Sequence, residues 1–566
     1  MRRTFSTQQP SMTGIILGTL SLIVLSLRIE GGLAQPTPPI LKPVPVETVK
    51  AKPDVVEGEV LVRYKEKAIE NAPGLGLFST VLSIFKTTGP SERTEKILYL
   101  GNALQKKFPA TVLATHSNMG VQRLKLPPGV PLQTALKTLQ SFSEIEFAEP
   151  NYKIFPLFAN PPGDKYWVNG PHSLWGMNRI GMKQAWNETG IADNIIIAVT
   201  DTGIDFGHPD LRDNMWKNPG EFGKTQYEDD DLNGIVDDVY GVNYCWWNAP
   251  GTHPTGNPDD KNSHGTGVAG VIGAVVDNPG TNEGYVAGVH RKAKLMALKV
   301  ICYPELGDPE DSKVSSAAAA IRYAVDKGAS VINASWYVAT GTDKISPITG
   351  AANGSGVLRE AIEAARAKNV LFVAAAGNSA DQRDNDSISI YPANYGNPVD
   401  VNYLDNVIAV AATWDICSNG EPVNSNNGNC DNGSTPRETL WEHSHYGNNA
   451  VPIAAPGWFT YTLMPTSLDS QGFTVFGGTS MASPHVAGCA ALLQAQRAAN
   501  PALSPYSAKD LKETLLNKAD LVAGIDLVGG IFSFNVTNGN GRRLNCDKAL
   551  PRNTSPPAAP TGLIVR

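Results

Sequence analysis

The 566-residue sequence predicts an α/β fold built on a mostly parallel sheet with helices on both faces. Runs 195–200, 295–300, 331–335 and 370–376 are apolar stretches rich in Val, Ile and Ala, the composition of strands buried on both sides. Segments 315–327, 357–368 and 507–518 carry helix-forming residues with apolar recurrence. Strands alternating with helices give a parallel sheet with two helical layers. About 390 residues, 159–550, belong to this unit, enough for one large core with long surface loops.

Taken in chain order, Arg2 and Arg3 precede an apolar stretch from Gly14 to Leu27, and Gly32-Leu33-Ala34 places small residues before a cut. Residues 1–34 therefore read as a cleaved secretory signal, and the chain is expected to be exported. The stretch is shorter than the roughly 20 residues of a spanning helix, so stable membrane insertion is not expected. Residues 35–54 are dense in proline and read as an extended linker. Within 55–158, Gly58 to Tyr64 alternates like a half-buried strand and Pro131 to Phe142 reads as a helix. Residues 551–566 form a Pro-rich tail.

Charge divides along the same lines. Residues 35–159 hold 15 Lys+Arg against 11 Asp+Glu, a balance of +4, and the first 34 hold +2, so the remainder carries −13 of the total −7. An acidic unit without a basic stripe repels phosphate and excludes nucleic acid as a partner. It suits divalent cations.

Three segments carry chemistry. The buried strand 195–200 ends in Asp201-Thr202-Gly203, at the carboxyl edge where open α/β sheets place their sites. His264-Gly265-Thr266-Gly267 precedes a helix of small residues. Gly478-Thr479-Ser480-Met481-Ala482-Ser483-Pro484 sets Ser480 at a helix mouth, where free amides favour negative charge. Alone, each has a plainer reading, Ser480 as a helix cap and Asp201 or His264 as satisfied core groups. Together, in the order Asp, His, Ser, they match the subtilisin order of the Ser-His-Asp triad.

On these motifs the chain is identified as a member of the subtilisin-like serine protease family, the subtilases. The resemblance implies a three-layer subtilisin-like fold. It gives Ser480 the role of nucleophile, His264 that of base and Asp201 that of orienting acid. Asn378, after the apolar run ending at Ala376-Gly377, becomes an oxyanion donor, although its plainer reading is a turn residue. Ile145 to Tyr152 resembles the end of a subtilase propeptide. Residues 55–158 are accordingly expected to form a small α+β (ferredoxin-like) inhibitor, the alternative being an ordinary accessory domain. The cut is expected between Ile154 and Tyr166. Substrates would be proteins or peptides, with the chain acting as a monomer. Two other hydrolase types are disfavoured: a serine-carboxyl peptidase would use a glutamate base, and an α/β-hydrolase would carry Gly-x-Ser-x-Gly with Ser first. A catalytically silent homologue serving as a binding module is disfavoured by the intact Asp201, His264, Asn378 and Ser480.

Ser335-Trp336-Tyr337 falls where subtilases line the pocket before the scissile bond, opposite Ala375 and Gly377. Compact members have glycine at the position of Tyr337, and the two aromatics read equally well as core residues.

Calcium is the implied cofactor. In the loop 229–238, Asp229, Asp231, Asn233, the Ile235 carbonyl and Asp237 fall at EF-hand-like positions one, three, five, seven and nine, with glycine at six. Position twelve is Tyr240 rather than glutamate, leaving Asp238 as a substitute. A second site, implied by resemblance, takes Asp210 and the loop around Asn282. Six cysteines, all after residue 240, allow up to three disulfides among 15 full pairings. Cys417 and Cys430 make the best local pair, and Cys489 reads equally as a buried thiol or a bridge. In a eukaryotic source Asn187, Asn353, Asn385, Asn432, Asn535 and Asn553 are formal glycan acceptors, whereas Asn333 ends a buried strand and should be spared.

Overall fold

The computed structural model describes residues 55–73, 92–156, 175–186, 192–245, 254–275, 286–302, 312–338, 354–379, 384–417, 430, 433–500, 503–523, 525 and 540–551. The expected signal segment, the Pro-rich linker, the tail beyond 551, Asn282 and five of the six glycan acceptors lie outside them.

The N-terminal part folds as β1 (Val55–Tyr64), α1 (Glu66–Asn71), α2 (Glu92–Lys107), β2 (Thr111–His116), β3 (Val121–Lys125), α3 (Leu132–Gln140) and β4 (Ile145–Tyr152). Its four strands pair antiparallel in the order β2-β3-β1-β4, the ferredoxin-like arrangement. Successive side chains of β1 point to opposite faces. Val60, Val62 and Tyr64 enter a core with Ile97, Leu104 and Leu139 under the three helices. Leu61 turns the other way, into a cluster with Val121 of β3 and with Val314, Val357 and Leu358 of the large unit. Strand β1 is therefore buried on both faces rather than half-buried. The polar residues expected to meet water line the junction instead: Glu59 accepts from Asn151 Nδ2 at 2.9 Å and faces Arg123 and Lys313, and Arg63 reaches Glu360 at 3.1 Å.

Among the described residues the large sheet has ten strands. Along its main path, β17 (Asp520–Ala523), β18 (Asn540–Arg543), β14 (Ile453–Pro456), β12 (Val407–Ile416), β11 (Leu371–Ala375), β9 (Val331–Ala334), β6 (Ile196–Asp201), β8 (Lys294–Lys299) and β7 (Gly241–Asn243) lie in that order. Every neighbouring pair is parallel except β17 with β18, and β13 (Arg437–Leu440) adds antiparallel to β12. The period of two sends Ala198, Ile332 and Phe372 toward α5 (Val314–Asp326) and α6 (Gly356–Ala367). Ile197, Val199 and Val373 face α4 (His264–Gly273), α7 (Thr479–Ala498) and α8 (Ala508–Lys518).

Three disulfides join Cys245 to Cys302, Cys417 to Cys430 and Cys489 to Cys546. The expected local pair is present, and Cys489 is a bridge. Asn385 is buried, with Nδ2 donating to the Ala376 carbonyl, so it cannot carry a glycan in the folded chain. Asn333 is buried as well.

The two parts also meet at a helix end. The free amides at the start of α6 need acceptors. Glu149 of β4 supplies them, accepting from Ser355 Oγ at 2.7 Å, Gly356 N at 2.8 Å and Val357 N at 3.2 Å. Burial pushes its carboxyl up to about 7, and these donors only partly oppose the shift.

Candidate active site

Asp201 is the last residue of the central strand β6, and its carbonyl accepts from Val300 and Ile301 amides, which fixes the strand end. His264 opens α4, whose ten residues are all buried. The imidazole Nδ1 lies 2.7 Å from Asp201 Oδ1. A carboxylate there selects the Nδ1–H tautomer and leaves Nε2 as the basic end. The two segments approach so closely that a Cβ on Gly265 would come within 2.1 Å of the Gly203 carbonyl. Only glycine fits.

Asp260, which the sequence reading passed over, organises this corner. Its carboxylate accepts from Thr202 Oγ1 at 3.0 Å, from Asn262 N and Ser263 N, and from Thr266 N and Oγ1. Thr202 Oγ1 in turn accepts from Gly265 N at 2.8 Å, so one buried acid ties the Asp201 turn to the His264 helix. Burial raises its carboxyl above the usual range against the pull of Thr266 and the backbone amides. An acid four residues before the histidine and six before Thr266 is the available signal, since helix mouths favour acidic caps.

Ser480 is the second residue of α7 and is buried. Gly478 precedes the helix at φ 115°, a left-sided conformation that favours glycine. Pro484 sits one turn into the helix and has no N–H to give the Ser480 carbonyl four residues back. Ser335 fills that gap: its Oγ donates to the Ser480 carbonyl at 3.0 Å and lies 3.0 Å from Ser483 Oγ. In return the Ser480 hydroxyl lies 3.2 Å from the Ser335 carbonyl. Ser335 thus supports the serine from beneath. The Phe476 ring of β16 (Phe473–Phe476), a strand paired antiparallel with β15 (Thr460–Leu463), stands 6.3 Å from the His264 ring.

Asn378 follows β11 next to Ser480. Its Oδ1 accepts from Thr479 N at 3.0 Å and Thr479 Oγ1 at 2.9 Å, while Thr479 Oγ1 accepts from Gly377 N at 3.2 Å. Two donors on Oδ1 fix which end of the amide is oxygen, so NH2 is the end left to donate. Ala375 and Gly377 are buried beside it.

Trp336 departs from the expected pocket wall. Its indole is fully buried and donates Nε1–H to the Thr200 carbonyl at 2.9 Å, because a large apolar ring gains more in the core than at a wet rim. Its backbone contributes instead. Trp336, Tyr337 and Val338 form β10, which pairs antiparallel with β5 (Ile154–Pro156), matching Trp336 with Pro156, Tyr337 with Phe155 and Val338 with Ile154. On the other side Ile154 N donates to the Ser312 carbonyl at 3.0 Å and Lys153 bridges Lys313. The end of the N-terminal part therefore runs as a strand between two edges of the large unit, leading toward Ser335.

The acidic loop gathers differently from the EF-hand pattern. Glu221, Asp231 and Asp238 bring ligand atoms within 4.8 Å of one another. Asp229 instead accepts from Asn233 N and Gly234 N, Asp237 from Tyr227 N, and Asn233 Oδ1 from Ile235 N. Glu221 was not anticipated; it lies outside the loop by sequence. Its Oε2 is buried without a hydrogen-bond partner among the described residues, and burial together with Asp238, Asp231 and Asp229 raises its carboxyl. An orphaned oxygen in a concentration of carboxylates fits a hard divalent cation. Lys327, bonded to Asp231, neutralises part of that charge. Asp210 is buried elsewhere, its amide bonded to His208 Nδ1.

Comparison with known proteins bears on this geometry. Residues 192–546 match the subtilase family, and residues 101–151 match the fervidolysin N-terminal prodomain. Subtilisin-like protease 1 of Plasmodium falciparum is 32% identical over 306 residues, 52% of this chain and 37% of the relative. Fervidolysin of Fervidobacterium pennivorans is 30% identical over 380 residues, covering 62% and 44%, and thermitase of Thermoactinomyces vulgaris is 29% identical over 363 residues, covering 64% and 93%. The chain thus spans less than half the length of the first two. The crystal structure of fervidolysin superposes with a TM-score of 0.54 at 23% identity, over 88% of this chain and 61% of that one. That of the Staphylococcus aureus epidermin leader peptide processing protease, an S393A mutant, gives 0.52 at 18% identity, over 88% and 99%. With well over half of its length matched and the Asp, His and Ser segments brought to one sheet edge behind a prodomain, the chain belongs to the subtilase family.

Proposed function

We propose that the protein is a secreted serine endopeptidase made as a self-processed zymogen. The observation that carries this reading is the 2.7 Å bond between Asp201 and His264 at the sheet edge where α7 presents Ser480. Ser480 Oγ adds to a peptide carbonyl and gives its proton to His264 Nε2. Asp201 holds Nδ1–H and stabilises the imidazolium. The oxyanion takes hydrogen bonds from the Asn378 NH2 and the Ser480 amide, a donor of this kind lowering the barrier by about 3 kcal/mol. His264 then protonates the leaving amine, and water, deprotonated by the same imidazole, hydrolyses the acyl-enzyme.

The antiparallel pairing of β5 with β10 supports inhibition by the prodomain, whose end holds a strand that a substrate would need. The register ends with Pro156 opposite Trp336, the residue after Ser335, whose carbonyl lies by the Ser480 hydroxyl. Leu157 and Phe158 lie beyond the described residues; the count alone makes the bond between them the expected cut. Three disulfides support an oxidising destination. A structural calcium is assigned to Glu221, Asp231 and Asp238, whose oxygens would satisfy its preference for carboxylates.

Mass spectrometry of the wild type and Ser480→Ala tests the whole reading. The wild type should shed its prosegment and yield a mature chain beginning at Phe158, whereas the alanine variant should stay intact and leave peptides uncut. A variant that processed itself and hydrolysed peptides unaided would refute the mechanism.

A further inference from the structure

A second histidine stands behind the oxyanion segment. His445 is buried, and both ring nitrogens are engaged: Nδ1 lies 3.0 Å from Asn385 Oδ1 and Nε2 lies 2.9 Å from Ser379 Oγ. The direction of each bond follows from its neighbours. Asn385 Nδ2 donates to the Ala376 carbonyl at 2.9 Å, and a carbonyl only accepts, so Oδ1 is the end that faces His445. Nδ1 must then carry a ring proton, and in the neutral imidazole Nε2 is the acceptor to which Ser379 donates its hydroxyl proton.

These contacts grip four consecutive residues, Ala376 to Ser379, from one side. His445 N donates to the Gly377 carbonyl at 2.9 Å, Ser379 N to the His443 carbonyl at 2.9 Å, and Asn378 bridges Ser444. Gly377 has φ 127°, and a Cβ there would meet His445 Nδ1 at 2.4 Å, so ring and glycine fit only each other. From the opposite side Thr479, next to Ser480, holds Gly377 N and Asn378 Oδ1. The segment is clamped between the nucleophile helix and an imidazole that never touches the reacting atoms.

We propose that His445 is a positioning residue for the oxyanion donor Asn378, acting through Gly377 and Ser379 with Asn385 setting its tautomer. The inference rests on the endopeptidase reading and deepens it. A donor displaced by a fraction of an ångström still allows substrate to bind, because the oxyanion exists only after attack. The loss belongs in kcat.

The test compares full-length precursor, allowed to process, as wild type, His445→Ala, His445→Gln and Ser379→Ala. Active sites are counted with a fluorophosphonate, so that rates refer to folded enzyme. Removing a donor outright costs about 10²–10³ in kcat, so loosening one should lower kcat of His445→Ala about tenfold to a hundredfold. KM should hold within about twofold, and affinity for a peptidyl aldehyde, whose adduct carries the oxyanion, should fall in parallel. Glutamine offers one acceptor and one donor at similar reach and should recover most of the loss. Ser379→Ala should show the same pattern more weakly, and serves if His445→Ala does not fold. A fall in melting temperature with kcat and aldehyde affinity unchanged, or a rise in KM at constant kcat, would overturn the proposal. A wild type that neither hydrolyses peptides nor labels at Ser480 would instead defeat the endopeptidase reading itself.

Discussion

The carbonyl of Ser480 shows how the serine is placed. Helices hold each carbonyl through an amide four residues on, and Pro484 removes that amide. Ser335 Oγ takes over, so Ser480 is tied to the end of β9. Ser335→Ala should leave a buried carbonyl unsatisfied and lower stability by about 1–3 kcal/mol in a denaturant melt. Pro484→Ala would restore the amide, so the double variant should be less destabilised than the two single changes summed. Additive losses would refute the coupling. The three motif residues were legible in sequence because Asp201 ends an apolar run and His264 and Ser480 each open a helix of small residues. Ser335 was legible only by position, as a pocket residue, and Asp260 was not seen. Sequence spacing does not reveal a hydroxyl serving a carbonyl 145 positions away.

Elements were legible where burial is uniform. Strands β6, β8, β9 and β11 and helices α5, α6 and α8 fall within a residue or two of their expected bounds, since strands buried on both faces read as continuous apolar runs. β1 was misread as half-buried because alternation marks two faces without saying what covers the polar one. In the acidic loop the cluster keeps Asp231 and Asp238 of the expected set and adds a carboxylate from outside the pattern. A ligand pattern orders donors along the chain, whereas Glu221 reaches Asp231 and Asp238 from a separate turn. A strong chelator should therefore lower the melting temperature, since an ion bound only to the native state raises the midpoint. Glu221→Gln should weaken that response more than Asp229→Asn, whose carboxylate already serves Asn233 and Gly234 amides.

At the scale of the molecule, prodomain and large unit are joined through Glu149. Its pKa is about 7 in the assembled chain, against about 4.5 for an ordinary glutamate, so the assembled state prefers the protonated acid. The contribution is full below about 4.5 and is lost as pH rises through about 7, weakening prodomain binding by up to about three-hundredfold. Inhibition of mature enzyme by added prodomain should weaken over that window, and Glu149→Gln should flatten the slope. A steeper slope in the glutamine variant would contradict the assignment. The strand β5 adds a difference in molecularity. While strand and cleft belong to one chain, occupancy is set by an effective concentration that dilution cannot change. Once the connecting bond is cut, the same strand becomes a second molecule, and its hold depends on how much of it remains nearby. On the proposed reading the uncut precursor would stay closed at any concentration, whereas the processed pair would open on dispersal, so dilution after the cut would itself be the activating step.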